Sequence, residues 1–362
     1  MKQNKESISP TALLEHMTLR EKVGQLFVVR PDALDPELSQ EVIDDPYIEG
    51  AVTAAPSMKA ILHQYPAGGI IMFAKNVVSP EQIRTFNQDL QKESRIPLFL
   101  CIDEEGGKVS RLANNPSFHL PKYESPTAVG RNGNPADAEN MGRTIGHYLH
   151  EYGFHIDFAP DADVNTNPDN PIIGTRAFSS DAETAAELAG AMAKGISKEG
   201  IMPVFKHFPG HGDTKEDSHL KIAVSQKTET DMLSCEWLPF KKAGKNDGIM
   251  IGHIATPKIT GSMIPATLSH EMVTGILKHK LGFDGLIVTD ALIMKAVTDT
   301  CSHGEAAVKA FLAGCDILLM PGDYCSTFDF FVRAVEDGTV SESSLNERVL
   351  RILKYKEMYG VL

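Results

Sequence analysis

Between Met202 and His219 the chain reads MPVFKHFPGHGDTKEDSH, an apolar start followed by a crowd of ionisable side chains. Lys206, His207, His211, Asp213, Asp217 and His219 all fall after the run Met202–Phe205. Pro209, Gly210 and Gly212 forbid a continuing helix and disfavour a long strand. A buried strand that empties into such a loop is how a barrel presents chemistry at its open end. Within the loop, Asp217 stands two residues from His219. The carboxylate can accept the imidazole N–H, fix its tautomer and raise its affinity for a proton. A histidine held this way can protonate a departing oxygen and later take a proton from water. A surface histidine with an incidental acidic neighbour is the plainer alternative.

Other ionisable groups also follow short apolar runs. Asp290 ends Leu286-Ile287-Val288-Thr289, where a carboxylate on a rigid support can attack an electrophilic carbon. Capping a helix that begins at Ala291 is the structural alternative. Asp103-Glu104-Glu105-Gly106-Gly107 follows another run, with Arg111 close behind, and Asp161, Asp163, Asn165 and Arg176 follow a third. His253 follows a fourth. Asp103, Arg111, Arg176, Lys206 and His207 would offer charged donors and acceptors to hydroxyl groups, unless each serves only a structural ion pair.

The runs that must carry these groups are Gly24–Val29, Gly68–Phe73, Pro97–Ile102, Ile156–Ala159, Met202–Phe205, Gly248–Ile251, Gly285–Val288 and Asp316–Met320. Several are apolar at nearly every position, as strands covered on both faces must be. Helical stretches separate most of them: Pro80–Glu93, Pro135–Tyr152, Asp181–Gly200, Thr230–Gly244, Ser269–Leu281 and Gly304–Gly314. This alternation predicts an α/β fold, a (β/α)8 barrel of the TIM type. A doubly wound dinucleotide-binding sheet would need a glycine-rich loop after the first strand, and Arg30-Pro31-Asp32-Ala33-Leu34-Asp35 is none. No linker or repeat divides the chain, so residues 1–362 are expected to form one catalytic domain, with an N-terminal helix and a closing helix over Ser344–Leu362. Residues 31–60 carry seven acids before Ala51 and form a long connection, either a cover over the mouth or a solvated insertion.

Composition narrows the partners. Apolar content of 42% and charged content of 23% are those of a globular protein with a large core. A formal charge of −13 argues against nucleic-acid and anionic-membrane surfaces. The five scattered cysteines form no CxxC pair, and reduced structural thiols are expected. The N-terminus lacks the apolar core of a signal peptide and no run is long enough to span a bilayer, so a cytoplasmic protein is the default expectation. A monomer is expected with it.

Taken together, the motifs resemble the family 3 glycoside hydrolases, specifically β-N-acetylglucosaminidases of the NagZ type. The likeness rests on Ile102–Arg111, on Asp157-Phe158-Ala159-Pro160 with Asp163-Val164-Asn165, and on Gly174-Thr175-Arg176-Ala177-Phe178. It continues through Lys206-His207-Phe208-Pro209-Gly210-His211-Gly212, Asp217-Ser218-His219, Pro265–Ser269 and Val288–Leu292. The KHFPGHG loop followed by DSH is its most specific part. The resemblance implies Asp290 as nucleophile and His219 with Asp217 as acid/base dyad. It implies Asp103, Arg111, Arg176, Lys206 and His207 as the residues that grip the non-reducing-end sugar. No metal or organic cofactor is implied. The chain ends where the barrel should end, so the second domain of many family members is expected to be missing. Glu104, where glutamine is frequent, departs from the family pattern, as does Asp161, where an apolar residue is usual. So do Leu220-Lys221-Ile222-Ala223, without the common proline, and Lys295, where glycine is common.

The implied activity is exo-acting, retaining hydrolysis of terminal N-acetylglucosamine through a glycosyl-Asp290 intermediate. Peptidoglycan-recycling fragments, chitin oligomers and glycan-derived oligosaccharides share that terminal residue. Transfer to phosphate, a β-glucosidase-like activity, acetamide-assisted hydrolysis and sugar binding without turnover stand as alternatives. A metal-dependent barrel hydrolase could recruit His207, His211 and His219, but the first strand carries no His-x-His to complete its site.

Overall fold

A computed structural model describes residues 9–45, 48–215 and 222–362. Asp217 and His219 therefore lie outside the described residues. Eight strands form the central sheet: β1 (Phe27–Val29), β2 (Gly69–Met72), β3 (Phe99–Ile102), β4 (Ile156–Asp157), β5 (Met202–Phe208), β6 (Gly248–Ile251), β7 (Leu286–Thr289) and β8 (Leu318–Leu319). Each lies parallel to its neighbours in the order β7-β6-β5-β4-β3-β2-β1-β8. A parallel bridge between Val288 and Ile317 joins the two ends and closes the barrel. All eight strands are buried along their whole length, so each apolar run is accounted for by cover on both faces.

Local chemistry sets the outer layer of helices. Pro80–Glu93 starts on a proline, which needs no N–H in the first turn, and Ser79 caps it by accepting from Gln82 N. Asp181 caps Ala182–Lys198 through Thr184 N, and a Ser302/Glu305 capping box opens His303–Ala313. The closing helix runs Glu342–Met358 and packs on the helices Pro10–Glu15 and Leu19–Gln25.

Several boundaries differ from the sequence expectation. The run Met202–Phe205 continues as strand to Phe208, so Lys206 and His207 sit on β5 and not in the loop after it. The run Gly24–Val29 is not all strand: Gly24 and Gln25 finish the helix Leu19–Gln25, and β1 begins at Phe27. Gly24 is there for close packing, since a Cβ would lie 2.0 Å from Pro66 O. Thr230–Gly244 is broken into a helix Glu229–Ser234 and a tight turn Pro239–Lys242, because Cys235 takes φ −139° and ψ −88°. Ser269–Leu281 is a wider helix over Glu271–Lys280, ending with a bond from Leu281 N–H to Ile276 O.

The acidic connection is pinned rather than draped over the mouth. Lys75 donates to the carbonyls of Val42, Ile43 and Asp45, and Arg30 to that of Ile43. Buried Asp32 accepts from Ala51 N and Asn76 Nδ2. None of its described residues lines the cleft at the barrel mouth.

Candidate active site

The cleft at the carboxyl ends of the strands has a volume of about 320 Å³, near the lower end for small-ligand sites. Asp103, Arg111, Arg176, Lys206, His207 and Asp290 all line it, so the structure gathers six of the eight candidate residues in one place. The other two, Asp217 and His219, belong to the segment outside the described residues.

β3 delivers Asp103 and then turns back as a hairpin, Glu104–Gly106 against Val109–Ser110. Gly106 and Gly107 make the reversal at φ 84° and 67°, where a side chain would be strained. Glu104 points away from the cleft and holds the chain after the hairpin. It accepts from the backbone N–H groups of Arg111, Leu112 and Ala113 and from the Tyr148 hydroxyl, at 2.6–3.0 Å. Those four donors give the unusual Glu104 a structural reason, and they aim Arg111 at the mouth.

Lys206 crosses the floor from β5. Its Nζ lies 2.7 Å from Asp103 Oδ1 and 2.6 Å from Glu105 Oε1. Arg176 reaches the same Glu105 from the turn Gly174–Arg176 through two bonds, Nε to Oε2 at 2.8 Å and Nη2 to Oε1 at 2.7 Å. Burial alone would lift the Glu105 carboxyl, but Arg176 and Lys206 hold it well below the usual carboxylate range. Burial likewise opposes the Lys206 ammonium, and the carboxylates of Asp103 and Glu105 more than compensate. Arg111, 3.4 Å from Asp103 Oδ2, completes the rim.

His207 donates from Nδ1–H to Asp163 Oδ2, 2.7 Å away, and its Nε2 lies 3.4 Å from Arg176 Nη2. Asp163 Oδ1 also accepts from His211 N–H at 2.6 Å. The His211 ring bonds Thr214 through Nδ1 at 2.6 Å, is almost fully buried, and feels the charge of Asp290. Burial lowers its affinity for a proton, which favours a neutral ring. The first part of the loop is thus tied down as far as Thr214. Asn167 and Asn170 add bonds to Thr214 O and His211 O, and a Cβ on Gly212 would lie 1.8 Å from Val164 O. The loop returns at Ala223–Val224, which pairs with Ile254–Ala255, and Ser225 Oγ donates to Asp213 Oδ2 at 2.7 Å. The peptide bonds Ala159–Pro160, Lys206–His207 and Phe208–Pro209 are cis.

Asp290 does not cap a helix: the next one begins at Lys295, with Met294 at its cap position. Its backbone N–H bonds Ile251 O, and its Oδ1 accepts from Ala291 N–H at 2.7 Å. Fully buried His253 stands behind it, between Thr267 Oγ1 and Ala291 O, fixing the turn that follows Asp290. His253 therefore supports the site without lining the cleft. Asp161, Asp163 and His207 bring donor atoms within 4.8 Å of one another, but Arg176 stands 3.3–3.4 Å from two of them and takes a cation's place.

Glu105, Asp163 and His211 were the residues that sequence reasoning undervalued. The signal for Glu105 was its place two residues after Asp103: alternate side chains of an extended segment share a face, so Asp103 and Glu105 both reach the cleft while Glu104 turns away.

A profile described as "Glycosyl hydrolase family 3 N terminal domain" matches residues 18–355. "Beta-hexosaminidase A" of Pseudoalteromonas piscicida is 32% identical over 331 residues, 84% of this chain and 55% of that protein. The chain thus spans about half the length of that relative. "Beta-hexosaminidase LpqI" of Mycobacterium tuberculosis is 32% identical over 84% of this chain and 79% of its own length. Among solved structures, a family 3 β-N-acetylglucosaminidase from a Paenibacillus species superposes with a TM-score of 0.85 at 33% identity, covering 95% of this chain and 63% of that one. LpqI superposes with a TM-score of 0.81 at 28% identity, covering 96% of both chains.

Proposed function

The chain belongs to glycoside hydrolase family 3, and from that premise we propose that it is a retaining, exo-acting β-N-acetylglucosaminidase. Asp290 attacks the anomeric carbon, the glycosidic C–O bond breaks, and His219, oriented by Asp217, gives its proton to the departing oxygen. Water then attacks the glycosyl–Asp290 ester, His219 takes a water proton, and the carboxylate is released with the sugar in its original anomeric configuration. Asp103, Arg111, Arg176, Lys206 and His207 hold the sugar through its hydroxyl groups.

One observation carries this reading: six residues chosen for those roles converge on a single cleft, from strands and turns far apart in sequence. The β-hexosaminidase relatives and the solved Paenibacillus β-N-acetylglucosaminidase support the choice of N-acetylglucosamine as the sugar.

The test is turnover of aryl β-N-acetylglucosaminide against aryl β-glucoside, with and without phosphate, followed by muropeptide and chitobiose. Preference for the glucoside would overturn the sugar assignment, and a sugar phosphate as product would replace hydrolysis by transfer to phosphate. A 2-fluoro sugar trapped on Asp290 supports the covalent step; steady turnover of the trap without labelling would count against it.

A further inference from the structure

Asp161 takes no part in the chemistry proposed above, yet it lies directly beneath it. It follows β4, is 2% exposed, and its backbone is bridged to that of Lys206. Oδ1 accepts from Asp163 N–H at 3.1 Å. Oδ2 is 3.3 Å from Arg176 Nε but has no hydrogen bond, because that N–H is directed to Glu105 Oε2.

The groups around Asp161 come from every side. Asp163 shares its loop, Lys206, His207 and His211 come from β5 and its extension, Arg176 from its turn and Glu105 from the hairpin. With Asp103, Arg111 and Asp290 added, the network holds five carboxylates (Asp103, Glu105, Asp161, Asp163, Asp290) against three fixed cations (Arg111, Arg176, Lys206), and buried Asp157 lies close to Lys206 and Asp103. An excess of negative charge is costly among buried groups, and His207 and Asp161 are the proton acceptors nearest Arg176. An imidazolium would point an N–H at the Arg176 guanidinium 3.4 Å away, whereas a neutral ring that donates to Asp163 accepts there. Against this, burial opposes a charged His207, but the bond to Asp163 outweighs burial and raises the affinity of His207 for a proton. A proton on Asp161 removes its repulsion with Asp163 and leaves the Arg176 Nε–H to Glu105. Burial first, and then the neighbouring Asp163 carboxylate, push Asp161 up to about 7.

We propose that Asp161 is a positioning residue of the sugar subsite, which in its protonated form leaves Arg176 aligned on Glu105 and His207. Once ionised, Oδ2 competes for the Arg176 Nε–H, the guanidinium turns from the floor, and the grip on the sugar weakens. This rests on the N-acetylglucosaminidase reading.

The test is calorimetric binding of N-acetylglucosamine in a His219→Ala background, so that the loop imidazole adds no titration. With Asp161 intact, Kd should rise about tenfold between pH ~6.5 and ~8.5, and in Asp161→Asn it should drift less than about twofold. The same alkaline limb in Asp161→Asn, or a flat profile with Asp161 intact, overturns the proposal. Should the Asn variant not fold, binding to the Asp161-containing protein at pH ~7.5 in buffers of different ionisation enthalpy should show uptake of about half a proton or more. No uptake overturns it as well. Absence of both binding and aryl-glycoside turnover in the unmodified protein would sink the sugar reading and this inference together. Binding and turnover with an unmoved pH limb would sink this inference alone.

Discussion

Two lysines are buried at opposite ends of the barrel, and their surroundings treat the same charge in opposite ways. At the mouth, Lys206 lies within 2.7 Å of two carboxylates, which hold its proton on. At the amino ends of the strands, Lys356 donates to Gln25 Oε1 and Pro97 O, both at 2.6 Å, and sits 5.3 Å from the Phe99 ring centre. Its partners are neutral, and burial drives it down to about 7. The larger cavity, about 480 Å³, is also at that lower end. Its basic side chains already stand against acids: Arg20 by Asp329, Arg95 by Glu21, His63 by Glu93 and Lys92 by Asp89. Volume alone does not locate chemistry. What sets the mouth apart is a dry network of charges held in tension around a cleft.

The sharpest way to break this contrast is at Asp290. Asp290→Asn should cut kcat for an aryl β-N-acetylglucosaminide by about 10³-fold or more, the scale of losing a group that acts on the transition state. Lys356→Met, at the other end, should leave kcat/KM within about twofold. Comparable losses from the two variants would erase the distinction.

Lys206→Met comes next. It takes the shared ammonium from Asp103 and Glu105, which keep only Arg111 and Arg176, and chemical denaturation should show a loss of up to about 3–5 kcal/mol alongside weakened sugar binding. A stability change below about 1 kcal/mol would mean that water already reaches these carboxylates.

The pH dependence of Lys356 sharpens the comparison further. Its folded pKa lies below the unfolded value, so the folded chain binds fewer protons between about 7 and about 10.4. Its penalty is full below that window and is relieved as pH rises through it, by up to about 1.4 kcal/mol per unit. Unfolding free energies of wild type and Lys356→Met should therefore differ in slope there, with the wild type gaining as pH rises. Parallel curves would show that the ammonium is not confined as described.

The smallest effect belongs to the surface. Arg20 and Asp329 are 39% and 38% exposed, and Asp329→Asn should cost no more than about 1 kcal/mol, less in high salt.

Much of this was legible in residues alone, for a physical reason. Strands buried on both faces must be apolar throughout, so Gly69–Met72, Phe99–Ile102 and Gly248–Ile251 announced themselves. The polar residues that follow them could then be placed at one rim. Less visible was anything decided by partners distant in the chain. Nothing near Gly24 shows that Pro66 will press on it, so an apolar run there reads as strand. The break at Cys235 was hidden because Glu236, polar in a helical pattern, turns inward to Lys227. The hidden duties of Glu105 and Asp163 share this origin, since each answers charges more than forty positions away.

The contact of Gly212 with Val164 O has a practical consequence for anyone reshaping this enzyme. The loop that carries the histidine rests on the segment after β4 without room for a methyl group between them, and Asn167 and Asn170 stitch the two together. Neither can be transplanted from a relative alone. A chimera that exchanges residues 161–173 and 209–225 as one cassette keeps the fit, whereas swapping the second stretch by itself sets foreign side chains against a native backbone.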